Sequence, residues 1–185
     1  MACSLTLTNP AGEVCSPVKP GLDELKHWLI DRASITLTES TPGSKIYTSF
    51  TIASGAALLP WNFDKRGFIF TDEMTVDENT GARTFNPTIA GRILELSGTA
   101  AKKVESLINT NLVSIFAAKN GTVIVAGSKG GLALTVNTTG SASDAFGEAV
   151  SLGSSDEPEK HYQLLMTDLA TTLAALVAAE TAASS

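Results

Sequence analysis

Aromatic residues, histidines, cysteines and charges are all scarce in this 185-residue chain, and each scarcity removes a class of function. Two tryptophans, two tyrosines and seven phenylalanines make up 6% of the residues, which suits many short strands and turns better than an aromatic-lined ligand pocket. The two histidines, His27 and His161, stand far apart, and neither has a neighbour at metal-ligand spacing. No G-x-S-x-G elbow is present to activate a serine. Cys3 and Cys15 are the only cysteines; a disulfide between them stays open, with two free thiols in a reducing compartment the expected state. Charged residues are 17% of the chain, and 19 acidic against 13 basic side chains leave a net charge of -6. That balance disfavours a general nucleic-acid binder, whose phosphate contacts need clustered Lys and Arg. No basic segment followed by an apolar one opens the chain, and no apolar run approaches the roughly 20 residues that span a bilayer. A soluble protein made in a cytoplasm, with no membrane partner, is expected.

What is abundant is Ala, Thr, Ser and Gly, within an apolar fraction of 43%. A chain of this length is expected to form one domain that buries about two-thirds of its unfolded surface. The expected class is mainly β (α+β): a single-domain β-sandwich or rolled antiparallel sheet spanning 1–185. It carries one flanking helix, a projecting hairpin, an N-terminal arm over 1–21 and a C-terminal helical tail over 167–185.

The strongest signals lie in residues 100–134. Ala101, Val104, Leu107 and Ile108 fall on one face of a helix over 100–109, opposite Lys102, Lys103 and Glu105, with cap candidates at 97–99. A helix of about ten residues is marginal alone in water, so it must dock on a sheet. The strand over 111–118 is apolar on both sides, through Val113, Ile115 and Phe116. Asn120-Gly121, whose residues tolerate positive φ, turns it into a partner over 122–127. This pair is expected to be the centre of the core. A glycine-containing turn at 128–131 leads into a strand over 132–137.

Around that unit, residues 2–8 suit an edge strand, while 9–21 carry three prolines and two glycines and read as an arm or loop. Residues 22–37 fit either a helical stripe or two short strands around Asp31-Arg32. A strand is predicted over 45–53. Phe68 and Phe70 share a face in strand-like residues 63–77, which turn at 78–81 into a partner over 82–88. A separate strand follows over 89–96. Residues 138–147 read as a Ser, Thr and Gly surface loop, and 149–152 and 161–166 as short strands. The tail over 168–183 has a narrow apolar stripe through Leu169, Leu173, Leu176 and Val177.

Candidate chemistry is thin. Gly127-Ser128-Lys129-Gly130-Gly131 resembles a phosphate cradle, but its lysine comes too early for a P-loop and a strand follows where a helix is needed. The carboxylates Asp72, Glu73, Asp77 and Glu78 flank the polar hairpin without the aromatic cleft of a glycosidase. No catalytic residue, cofactor or metal ligand is predicted, and an enzyme is not expected. A hairpin whose tip has little to pack on a core projects from its domain and invites a partner. The predicted inter-subunit contacts are Phe68, Phe70, Asp72, Glu73, Met74, Val76 and Phe85 of the hairpin, with Asp144 and Phe146 of the 138–147 loop.

The order of several features resembles a family of virion proteins from tailed phages and prophages of Bacteroidetes-associated viruses, with a tail-tube-like organisation. The likeness rests on Cys15, Lys19-Pro20-Gly21-Leu22 and Leu25-Lys26-His27-Trp28-Leu29-Ile30. It continues in Phe63-Asp64-Lys65, Phe70-Thr71-Asp72-Glu73 and Gly81, and in residues 100–127 ending at Gly130-Gly131-Leu132. Residues 55–61 and the C-terminal helix depart from that pattern. The resemblance favours strand over helix at 26–30. It implies homo-oligomeric rings, hexameric and stacked, through which DNA passes without specific binding, located in the virion alongside other virion proteins. A head–tail connector, ring or head-decoration protein is the alternative, and a glycan-binding or adhesive domain using Trp28 or Trp61 is a third.

Overall fold

The computed structural model describes residues 22–61, 68–93, 97–140, 147–154 and 157–181. Eleven strands and two helices are formed among them, so the expected mainly-β sandwich with helices is the observed class. The strands are β1 (Leu22–Asp31), β2 (Ile35–Glu39), β3 (Ile46–Ile52), β4 (Leu59–Pro60), β5 (Ile69–Val76) and β6 (Arg83–Ile93). Helix α1 (Gly98–Glu105) follows, then β7 (Leu112–Ala118), β8 (Val123–Ala126), β9 (Ala133–Gly140), β10 (Gly147–Gly153), β11 (Tyr162–Leu164) and α2 (Leu169–Thr181).

Two sheets result. The larger has the order β2-β3-β11-β8-β7-β1-β4 and is antiparallel except where β11 runs parallel to β3. The smaller, β5-β6-β10-β9, is antiparallel throughout. Between residues 22 and 39 the strand reading is the observed one: a single 3₁₀ turn, Arg32–Ser34, separates β1 from β2. Asp31 caps that turn by accepting from the Ala33 amide.

The core lies in two layers, one on each face of the larger sheet. Trp28, Ile30, Val113, Ile115, Val123 and Val125 point to one side, where Leu169, Leu173 and Leu176 of α2 cover them. Their alternates Leu29, Leu112, Phe116 and Ala126 point to the other, against Ile89, Val150 and Leu152 of the smaller sheet. Helix α1 closes the inter-sheet layer with Val104 and Leu107. This explains why β7 does not alternate in sequence: its first six residues are buried, because both faces are covered. Each such aliphatic or aromatic side chain contributes about 1.5–3 kcal/mol by leaving water.

Several boundaries differ from expectation. Residues 82–88 and 89–96 were expected as separate strands, but Arg83–Ile93 is one. Pro87 is tolerated within it because its missing N–H falls on the β10 side, beyond the last β10 pair at Gly153 and Thr88. The Pro87 carbonyl still accepts from Ser154. Helix α1 stops at Glu105 rather than Asn109, where a φ of 63 turns the chain back. Residues 138–140 of the expected loop are strand, because β9 stays paired with β10 as far as Gly140. The expected edge strand and arm, Cys3 and Cys15, and loop residues 141–146 lie outside the described residues.

Candidate functional site

The hairpin of β5 and β6 is built by alternation. Register pairs Phe70 with Ile89, Asp72 with Pro87, Met74 with Phe85 and Val76 with Arg83, so the even positions of β5 share the core-facing side. Near the root that side is occupied. The Phe68 and Phe70 rings lie 5.8 and 5.0 Å from the ring of Phe116. Beyond Asp72 it runs out past the core, leaving Met74 54% and Val76 46% exposed, with half-buried Phe85 opposite. The expected projection is therefore present, but the projecting half carries apolar side chains underneath rather than polar ones alone.

Of the nine predicted contact residues, Phe68 and Phe70 are packed into the inter-sheet layer and serve the fold. Asp72 is turned inward, with only 4% of its side chain exposed, and its Oδ2 accepts from both the backbone N–H of His161 (3.1 Å) and the ring Nδ1 (2.6 Å). Burial pushes the Asp72 carboxyl up, but the His161 bonds outweigh it and hold it below the usual carboxylate range. Its Oδ1 has no hydrogen-bond partner among the described residues. Glu73, Met74 and Val76 are exposed, and Phe85 donates its amide to the carbonyl of Glu157. Asp144 and Phe146 lie outside the described residues.

Sequence reading missed the outward side of the same sheet. Register aligns Ile69, Ala90, Ser151 and Val136 in one row across all four strands, with Ile69 56% and Val136 50% exposed at its two ends. Both outer strands, β5 and β9, have eight residues, and each has no second partner strand among the described residues. Five consecutive β9 residues, 135–139, are exposed and uncharged, without the Lys or Pro that usually guards an edge. Leu134 packs on the inter-sheet core opposite Leu152, and a register shift at Ser151 and Leu152 turns Val136 to the outward side, which simple alternation along 134–138 does not announce.

The glycine turn at 127–131 proves to be an anion cradle filled from within. The Glu157 carboxylate accepts from the amides of Lys129 (2.8 Å) and Gly130 (2.5 Å), and a Cβ at Gly130 would stand 2.5 Å from its Oε2. Nearby, Tyr47 and Tyr162 stack at 4.5 Å, with the Lys45 ammonium 4.5 Å over the Tyr162 ring. Glu159 bonds both Lys45 and the Tyr162 hydroxyl, and Lys129 pairs with Glu39 at 3.3 Å. These charges satisfy one another, and burial raises the Tyr162 hydroxyl well above its ordinary range.

No group of three His, Cys, Asp or Glu among the described residues could hold a metal ion. No described helix is long and apolar enough to cross a membrane. Trp28 and Trp61, the candidate sugar platforms, are 2% and 6% exposed and belong to the core. No protein family, curated protein or solved structure matches the chain.

Proposed function

We propose that this chain is a structural protein of a tailed-phage virion, the tail tube subunit, which assembles into stacked hexameric rings that pass DNA. The observation that supports this reading is the pair of outer edges on the smaller sheet, β5 and β9, to which no further strand is paired among the described residues. Its four strands alternate in direction, so a rotated copy presents its β5 antiparallel to the β9 of its neighbour. The ladder continues without a break, each copy covering an edge that would otherwise invite disordered aggregation. The likeness of residues 15–135 to tail-tube-like virion proteins supplies the rest, and the net charge of -6 suits a conduit that does not hold DNA.

In this reading the exposed Met74, Val76 and Phe85 side of the hairpin meets the next copy. Enzymatic activity forms no part of the role. A head–tail connector, ring or head-decoration protein is the second reading. It is favoured by α2, which covers the outer layer of the larger sheet and is anchored there by Trp28 Nε1 on Glu180 at 2.5 Å. Copy number per virion separates the two, since a tube contains many stacked rings and a connector one. The same count tests the main reading: a single ring's worth of subunits overturns the tube role.

A further inference from the structure

The turn between β8 and β9 is held in shape by contacts that do not involve Glu157. Just past it, Leu112 and Leu132 exchange two backbone bonds of 2.8 Å, which pin its far end to β7. Gly127 and Gly131 take φ of 75 and 87. A Cβ on Gly131 would stand 1.6 Å from Asn111 Oδ1, so the chain lies close against the start of β7. Arg32 Nε donates to the Ser128 carbonyl at 3.2 Å. The successive amides of Lys129 and Gly130 are thereby aimed at one carboxylate, and amides aimed together in this way form a concave anion site. Both residues are exposed, so the site lies at the surface.

We propose that the 127–131 turn is a binding site for a short aliphatic carboxylate, and that Glu157 is its built-in occupant. The Glu157 carboxylate shows the mode of binding, with Oε1 on the Lys129 amide and Oε2 on the Gly130 amide. Bulk is restricted on the glycine side, since a Cβ at Gly130 would stand 2.5 Å from Oε2. Glu157→Ala removes a methylene and its carboxylate, a fragment the size of acetate, and leaves both amides in place. Acetate is therefore the ligand of matching shape. Propionate is too long, and chloride cannot place an oxygen on each amide. The site lies within one chain and is independent of the virion reading.

The experiment is urea unfolding of Glu157→Ala in sodium acetate, sodium propionate or sodium chloride of equal ionic strength at neutral pH. Acetate should raise the midpoint saturably and more than propionate does, and chloride should not raise it. Hydrogen exchange locates the effect. In the peptide covering 127–132, acetate should slow exchange by about tenfold at roughly ten times its half-saturating concentration. The response should vanish when Gly130→Ala is added, because the methyl group fills the vacated space, and in Glu157→Gln, which keeps that space filled. The wild type should need about tenfold more acetate or above, because a tethered carboxylate competes at an effective concentration on the order of millimolar or higher. If Glu157→Ala does not fold in chloride, recovery of folded protein in acetate reads the same binding, and no recovery counts against the site. Equal stabilisation by chloride, a response retained in Glu157→Gln, a wild type as responsive as Glu157→Ala, or protection that misses 127–132 overturns the proposal.

Discussion

The carboxylate of Glu157 sits in the turn at Gly130, with its Oε2 2.5 Å from the glycine amide nitrogen. Its backbone carbonyl meanwhile accepts from Phe85, so one residue ties the 127–131 turn to the hairpin. Gly130→Ala sets a methyl group against that carboxylate, and Glu157→Ala takes the charged acceptor from the Lys129 and Gly130 amides. Each should destabilise the fold by about 1–3 kcal/mol. Chemical denaturation checks this, and a wild-type midpoint for Gly130→Ala would show that the carboxylate is not seated there.

Global stability should fall in mild acid through His27. Its folded form resists protonation down to about pH 3, while the unfolded chain takes the proton near 6.5. The unfolded state is therefore favoured as pH drops below 6.5, by about 2 kcal/mol at pH 5. Urea unfolding at pH 7.5 and pH 5 measures the difference. His27→Asn should remove this part of the slope.

Phe116 is fully buried where β7 meets Phe68, Phe70 and His27. Phe116→Ala should cost about 3–5 kcal/mol, the range for emptying a large aromatic site. Val177→Ala removes a side chain that is 52% exposed and should change stability by less than about 0.5 kcal/mol. Paired denaturation curves decide whether the core lies where the register puts it.

Asn137→Pro in β9 should block strand addition at the outer edge while leaving the monomer folded. Asn137 stands opposite Val150, whose backbone serves β6, so the Asn137 N–H faces away from the partner strand, where Pro is tolerated. Val136→Lys is the companion variant, guarding the edge by charge without touching the backbone. Circular dichroism should be unchanged and sedimentation should show smaller species than wild type. Equal assembly by both variants argues against the β9 edge.

Much of this architecture was legible because the sequence carried local codes. The Asn120-Gly121 turn, with Gly121 at φ 89, and the buried Val113, Ile115 and Phe116 follow from turn chemistry and apolar density. What could not be read depends on pairing between distant residues. The strands expected over 82–88 and 89–96 are one, and Pro87 is accommodated within it because β10 stops short of it. Phe68 and Phe70 looked available for a partner, since nothing local tells that Phe116 lies beneath them. Asp72 resembled a solvated acid until His161, 89 positions later, closed on it. Of the contact side chains expected on the hairpin, Met74 and Val76 are exposed, and the exposed β9 edge lay concealed in a Thr-rich stretch.

The central claim is that copies join edge to edge through β5 and β9 into rings. Cryo-electron microscopy of particles carrying this protein tests it most directly. The account predicts stacked six-fold rings along the tail, each joint an antiparallel ladder between β9 of one subunit and β5 of the next. Tails built without this fold, or copies of it in rings whose smaller sheets do not touch, would contradict it.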